Sequence, residues 1–438
     1  MPSPSSVPSP NILRYRWAIV GMLWFICFFN YADRVAVGSI LPLLEKSYHL
    51  TKTQQGIIVS AFAWVYALAS PLAGQLGDRY SRKWVLLGGL YIWSLVTGFT
   101  AICSKFWHFV LVHGAEGLGE TVYFPASMAI ISDYHTPKTR SRAIGLHQTS
   151  VYAGTIGGGV IAGWMGERYG WQSPFILLGG LGIVLGFILS AFIREPKRNQ
   201  AEREELQALK AKEPEAEPTP IPFLQFLREF WRTPTAVQLI IAFFGANLVA
   251  WIFVSWMPTY LKETYHVNLA VAGVGATIFI QLGSMIGSPL GGILSDRWKL
   301  YHPGGRIRVQ AFAALLGAPF VFLCGYTRQA GILMVALTFY GLFKGFYDAN
   351  LTAAFYDVVP AARRSSATGL MNFLGWIGGG LGPTLIGVAT DHHIPMSASL
   401  SSTALVSLTV GLILLYTATV TAPRDMQRVH EFSRMNTK

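Results

Sequence analysis

The sequence predicts an all-α membrane protein: twelve transmembrane helices in two pseudo-symmetric six-helix bundles. Three observations carry this. Of the 438 residues, 52% are hydrophobic and only 13% charged, about half the charged share of a soluble domain. The apolar residues come in twelve blocks near 16–40, 55–77, 83–103, 107–132, 142–166, 172–193, 235–261, 269–294, 307–326, 331–355, 365–388 and 397–421, each matching the ~20 residues that cross a bilayer. Finally, a motif occurs twice. Residues 70–79 read SPLAGQLGDR and residues 288–297 read SPLGGILSDR, so Ser70, Pro71, Gly74, Asp78 and Arg79 recur at constant offset as Ser288, Pro289, Gly292, Asp296 and Arg297. A repeat of half-chain period at the edge of an apolar block is how paired helical bundles read in sequence.

Taken in order, residues 1–15 open with MPSPSSVPSP, a Pro/Ser-rich stretch expected to be disordered, without the charged start of a cleaved leader. Spans 1–6 fill a first bundle, 16–193. Residues 194–234 form a linker of alternating charge ending in prolines, with a helical middle expected. Its Phe223–Trp231 segment has an apolar face that suits a membrane surface, and a plain solvated tether fits the acidic part equally. Spans 7–12 fill a second bundle, 235–421, and 422–438 is a tail.

Charge sets the orientation. Only Lys46, Lys52, Lys105, Arg168, Lys262 and Arg328 fall in loops after odd-numbered spans, and Arg34 and Lys344 fall inside spans. The remaining Lys and Arg lie at the termini or after even-numbered spans. Basic loops stay in the cytoplasm, so both termini are expected there and the cell (inner) membrane is the expected site. The net charge of +12 is spread over many short loops, which argues against a nucleic-acid partner. The three cysteines, Cys27, Cys103 and Cys324, lie in or beside apolar blocks and suggest neither disulfide nor metal. No P-loop is present, which argues against ATP drive, and apart from His392-His393 in an outer loop, read as solvated, no His/Asp/Glu set has ligand spacing, so no enzyme chemistry, metal or cofactor is expected.

The repeat runs further. PKTRSRAIGL at 137–146 is echoed by PAARRSSATGL at 360–370, glycine runs follow at Gly157–Gly159 and Gly378–Gly380, and Gly117-Leu118-Gly119-Glu120 is matched by Gly341-Leu342-Phe343-Lys344. Small residues let helices approach closely, which serves rocking and static packing alike.

The chemistry lies in ionisable groups inside the spans, where a charge costs about 2.5–3.5 kcal/mol. Span 1 carries Asp33 and Arg34, span 4 carries His113, Glu116 and Glu120, and span 10 carries Lys344 and Asp348. Asp33 and Arg34 point about 100° apart on a helix. Arg34 is expected to face a cavity and pair with Glu120, with Asp33 bonding between helices. A substrate carboxylate that takes Arg34 leaves Glu120 without its partner, and Glu120 then takes a proton. This links an anion to a proton. Glu116 is a second candidate for the proton. His113 fits a shuttle or a packing hydrogen bond. Lys344 and Asp348, spaced i,i+4, fit a local salt bridge or a second cation for the cavity.

The run Gly74-x-x-x-Asp78-Arg79-x-x-Arg82-Lys83, with its degenerate copy at Gly292, Asp296 and Arg297, resembles the loop 2–3 and loop 8–9 signatures of the major facilitator superfamily. The resemblance covers almost the whole chain. It implies alternating access around a central cavity, with Gly74, Asp78, Arg79, Arg82, Lys83, Asp296 and Arg297 in a cytoplasmic gate. There Asp78 would latch the halves in the outward-open state. Positive-inside anchoring is the other reading of this cluster.

Within that superfamily, Asn30-Tyr31-Ala32-Asp33-Arg34, Gly117-Leu118-Gly119-Glu120 with Phe124-Pro125-Ala126, Trp256-Met257-Pro258-Thr259-Tyr260-Leu261 and Gly369-Leu370-Met371-Asn372-Phe373 resemble the anion:cation symporters, which include sugar-acid permeases and sialin-like carriers. This implies secondary active, proton-coupled symport of a small organic anion by a monomer. Asp33 and Glu120 would carry the proton, and Arg34 would meet the carboxylate. Tyr31, Tyr66, Gln148 and Asn372 would line a sugar-acid site. Departures are His113, where that family often has arginine, and Lys344. Spinster-type carriers of lysophospholipid and other amphiphiles resemble the chain as well, through Asn-Tyr-x-Asp-Arg and GQLGDRYSRK at 74–83.

Overall fold

The computed structural model describes residues 10–196, 228, 230–359 and 364–435. Among them, every regular element is helical. The linker and its Phe223–Trp231 segment fall largely outside the described residues, as do 1–9.

The N-terminal half comprises α1 (Pro10–Tyr48), α2 (Lys52–Arg79), α3 (Arg82–Thr100), α4 (Phe106–Thr121), α5 (Tyr123–Tyr134), α6 (Pro137–Tyr169) and α7 (Ser173–Phe192). The C-terminal half comprises α8 (Pro234–Tyr265), α9 (Leu269–Tyr301), α10 (Gly305–Tyr326), α11 (Ala330–Asp348), α12 (Leu351–Tyr356), α13 (Arg364–Asp391) and α14 (Met396–Tyr416). A π-helical turn at Thr417–Thr421 leads into α15 (Ala422–Met435). Nine segments among the described residues are long and apolar enough to cross a membrane. Large apolar side chains such as Phe187, Ile176 and Leu316 point outward, as lipid requires.

Several boundaries differ from expectation. The first helix begins at Pro10 rather than after residue 15: Pro10 opens it, where a missing N–H costs nothing. The Tyr15 hydroxyl ties its first turns to the Phe192 carbonyl at 2.9 Å. Residues 422–435 are helical too, and the Asp425 carboxylate accepts from the Thr235 N–H at 3.0 Å. Spans 4 and 10 are each two helices. In span 4 the break at Val122 precedes Pro125, which has no N–H for the Thr121 carbonyl. In span 10 the turn at Ala349–Asn350 is held by Asn350 Nδ2, which donates to the Phe346 carbonyl at 2.9 Å.

The pseudo-symmetry extends into detail that motifs do not carry. Helices α1 and α8 both end in a histidine with positive φ, His49 (52°) and His266 (54°), a conformation in which histidine is enriched. The preceding tyrosines bond alike: Tyr48 to the Cys103 carbonyl at 3.0 Å and Tyr265 to the Thr327 carbonyl at 2.9 Å.

The halves meet at the ends bearing the few-cation loops. There Gly56 packs on the Pro383 backbone, where a Cβ would lie 2.5 Å from the carbonyl oxygen. Ser60 and Thr384 hydroxyls bond at 2.8 Å. Each glycine run divides its work. Gly158 faces Ala32 of its own half, whereas Gly159 faces Gly273 of the other; Gly378 faces Phe244 of its own half, whereas Gly380 faces Trp64 of the other. Toward the basic loops the halves enclose a cavity.

Candidate functional site

The cavity has a volume of about 540 Å³, within the usual range for small-molecule sites. Arg34, from the middle of α1, lies on its wall. The guanidinium donates through Nε (3.0 Å) and Nη2 (2.5 Å) to Glu120 Oε2, and through Nη2 to Asn30 Oδ1 at 3.1 Å. Asn30 sits one turn before Arg34 on the same helix face. Glu120 is wholly shielded, and its other oxygen, Oε1, has no hydrogen-bond partner.

Four aromatic rings surround the same guanidinium: Tyr31 at 4.4 Å, Phe62 at 4.8 Å, and Tyr66 and Trp376 at 5.4 Å each. Ring faces attract a desolvated cation by roughly 0.5–2 kcal/mol each. Trp376 belongs to α13 and lies tilted against Tyr66 at 4.4 Å, while Trp251 of α8 stacks on Phe62 at 5.9 Å. The C-terminal half thus reaches directly onto the surroundings of Arg34.

Asp33 points away from the cavity, as the 100° step requires. It is fully buried, with Trp93 and Thr97 of α3 as polar neighbours, and neither oxygen is in a well-formed hydrogen bond. Thr97 and Trp93 are the partners that α3 offers for the expected bond between helices. Glu116 and His113 are likewise buried and off the cavity wall. Glu116 accepts from Thr97 Oγ1 at 3.2 Å and pairs with His113 Nδ1 at 2.7 Å, leaving His113 Nε2 without a partner.

Of the other expected substrate contacts, Tyr31, Gln148 and Lys344 line the cavity. Tyr66 and Asn372 are not among the lining residues, although Tyr66 touches two that are, Arg34 and Trp376. Trp376, one helical turn further along α13, takes the place of Asn372. Lys344 is paired with Asp348 along one face of α11, and both line the cavity. Sequence reasoning missed Phe62, Trp251 and Trp376. Nothing local marks them in a chain that is 13% aromatic.

Of the expected gate residues, Arg82, Lys83, Asp296 and Arg297 are among those whose side chains are described. The Glu195 carboxylate accepts from the N–H groups of Arg82 (2.9 Å) and Lys83 (2.8 Å), capping α3. The Arg82 side chain pairs with Asp133. In the other half Arg306 bonds Asp357 and Asp296, both at 3.1 Å. Asp296 and Arg297 are exposed. These ion pairs stay within their own halves because the halves part on this side. The side chains of Gly74, Asp78 and Arg79 lie outside what is described. Pairs Arg82–Asp133 and Arg306–Asp357 are pseudo-equivalent, each tying the start of an odd span to the end of the next.

Among the described residues no group of three or more His, Cys, Asp or Glu is placed to hold a metal, and the three cysteines are free and buried.

Comparison with known proteins now bears on this geometry. A family model of the Major Facilitator Superfamily matches residues 23–383 and 270–432. The "Probable galactarate/D-glucarate transporter" of Escherichia coli (strain K12) is 29% identical, covering 87% of this chain and 88% of that protein. "Protein spinster homolog 1" of Homo sapiens is also 29% identical, covering 85% of this chain and 73% of that protein. Among solved structures, a bacterial homolog of the human lysosomal transporter spinster, inward-facing and unoccupied, superposes with a TM-score of 0.75. It covers 97% of this chain and 99% of that one at 20% identity, a likeness of fold.

Proposed function

The chain belongs to the Major Facilitator Superfamily, and from that premise we propose that it carries a small organic anion, a sugar acid or another carboxylate, together with a proton by alternating access. It is a multi-pass membrane transporter and not an enzyme. The finer reading rests on one observation: the ion pair of Arg34 and Glu120 on the cavity wall.

A buried guanidinium cannot neutralise two carboxylates at once. When the substrate carboxylate occupies Arg34, Glu120 is left as a buried charge without a partner, which costs several kcal/mol, at least ~3. Taking a proton removes that cost. Anion entry and protonation therefore favour each other. Asp33 is the second proton carrier, with Glu116 and His113 behind it. Tyr31, Gln148, Tyr66, Asn372 and Lys344 supply polar groups to a hydroxylated anion. Gly74, Asp78, Arg79, Arg82, Lys83, Asp296 and Arg297 close the basic side when the halves rock about the glycine contacts. The protein acts as a monomer in the cell (inner) membrane with both termini cytoplasmic, and the cavity then faces inward.

Uptake of galactarate and other sugar acids into proteoliposomes, with and without a pH gradient, tests this. Wild type is expected to respond to the gradient, and Glu120→Gln to exchange substrate without that response. Full pH-driven uptake by Glu120→Gln would remove Glu120 as the proton site.

A second reading has its own support. Val249, Ala250, Val254, Ala313 and Val321 make much of the C-terminal wall apolar, which suits the chain of a lysolipid-like amphiphile. Thermal stabilisation by lysolipids but not by sugar acids would select it.

A further inference from the structure

We propose that Lys344 is a second anion anchor, and that the cavity takes an anion charged at both ends in preference to one charged at a single end. The proposal rests on the reading of the cavity as an anion site and names the class of anion.

The two halves place unlike charges at matching positions. Glu120 ends α4 just before the break in span 4, and Lys344 lies on α11 just before the break in span 10. The result is one cation on each side of a single cavity, each already holding a carboxylate of its own half. Arg34 holds Glu120, and Lys344 holds Asp348. All of Arg34, Lys344 and Asp348 line the cavity. Tyr31, on the wall beside Arg34, is within electrostatic reach of Lys344 as well.

Stability does not account for Lys344. A lysine within a membrane span costs more than an i,i+4 pair with one aspartate returns. The ammonium is also less enclosed than the guanidinium. Its side chain keeps 25% exposure, against 5% for Arg34, and the exposed part faces the cavity. An ammonium has three N–H donors and Asp348 can occupy one of them; Asp348 is half-open to the cavity, unlike the shielded Glu120, so it stays solvated when a substrate oxygen joins the ammonium. An anion with one carboxylate satisfies Arg34 alone. An anion with a carboxylate at each end satisfies both cations and ties the two halves together through itself.

The test uses the purified full chain and two probes with one carbon skeleton: galactarate, a dicarboxylate, and D-galactonate, its monocarboxylate counterpart. Affinities are read by calorimetry. Wild type is expected to bind galactarate at least tenfold more tightly. Lys344→Gln should cut galactarate affinity at least tenfold and D-galactonate affinity by far less, so that the preference is lost, and Lys344→Arg should retain the preference. Asp348→Asn frees the ammonium and should leave galactarate binding unchanged or tighter. A static pair predicts the reverse, with Asp348→Asn weakening both probes as Lys344→Gln does, and that result overturns the proposal. So does equal binding of the two acids by wild type, which leaves the anion reading intact. Binding of neither acid overturns the anion reading and this proposal with it.

Discussion

The Asp391 carboxylate at the end of α13 accepts from the backbone N–H groups of Lys52 (3.0 Å) and Thr53 (2.8 Å) at the start of α2. A helix in one half is thus capped by a side chain of the other. Beside it, the Lys52 ammonium bridges Glu45 of its own half (2.7 Å) and Glu263 of the other (2.5 Å). The pattern recurs across the pseudo-symmetry, where Glu167 on α6 accepts from the Ala270 N–H at 3.4 Å near the start of α9.

These caps exist only while the halves are closed on this side. Removing one at an exposed helix start costs about 0.5–1 kcal/mol. Asp391→Ala is therefore expected to shift the population two- to fivefold, as a rough figure, toward opening at this end. Spin-label distances between α2 and α13 read the shift. An unchanged distance distribution would show that the cap does not hold the closed state.

Gly159 and Gly273 predict a conformational trap. A Cβ on Gly159 would lie 2.8 Å from the Gly273 carbonyl oxygen and 3.1 Å from Thr277 Oγ1. Gly159→Val should block closure at this end while leaving each half folded. Since the native cysteines are buried, a Thr277→Cys reporter should react with a thiol reagent several-fold faster in the valine variant. Uptake should be lost with helical content unchanged. Equal labelling rates would count against the contact as the closing surface.

Arg34→Lys keeps the charge and loses the geometry. The guanidinium serves Glu120, Asn30 and four rings at once, and an ammonium cannot present that planar fork. Anion affinity should fall at least about tenfold, measured by calorimetry. Wild-type affinity in this variant would mean that charge alone is read.

His135, between α5 and α6, gives the acid sensitivity. Its Nε2 bonds the Arg16 carbonyl at 3.0 Å and its Nδ1 the Thr139 hydroxyl at 3.2 Å. Burial holds the imidazole below its usual range; the bond to the Arg16 carbonyl opposes this, and the charges of Arg16 and Arg140 reinforce it. The unfolded chain therefore binds the proton more readily, with a value near ~6.5. Stability from this group is complete above that value and is lost as pH falls below it. Apparent melting temperature should drop between pH 7.5 and 5.5, and by less in His135→Asn. An equal drop in the variant would assign the sensitivity elsewhere.

Much was legible from local sequence. Hydropathy is a property of each segment on its own, so the twelve spans and the two halves follow from composition along the chain. The cost of a charge in hydrocarbon singles out Arg34, Glu120, Glu116, Asp33 and Lys344 without any coordinates. The phase of each helix is less legible. Asn372 and Trp376 differ by one turn, yet only Trp376 reaches the cavity. The helix break at Asn350 was hidden because an apolar stretch reads alike whether it is one helix or two; the break at Val122 had a local signal in Pro125, which hydropathy does not register.

The sequence by itself determined the membrane fold, its doubling and the short set of charges that any mechanism must use. The spans and the costly charges follow from transfer free energy, which is summed residue by residue, and the doubling follows from the motif repeated in each half. The pairing of Arg34 with Glu120 could be expected from the sequence. Tertiary structure alone set Glu116 against His113, placed Asp33 beside Thr97 and Trp93, and put three rings from other helices onto one guanidinium. It also chose which glycine of each run crosses to the other half. Such pairings join residues as far apart as Lys52 and Asp391, and their geometry is fixed by the packing of whole helices rather than by any neighbour in the chain.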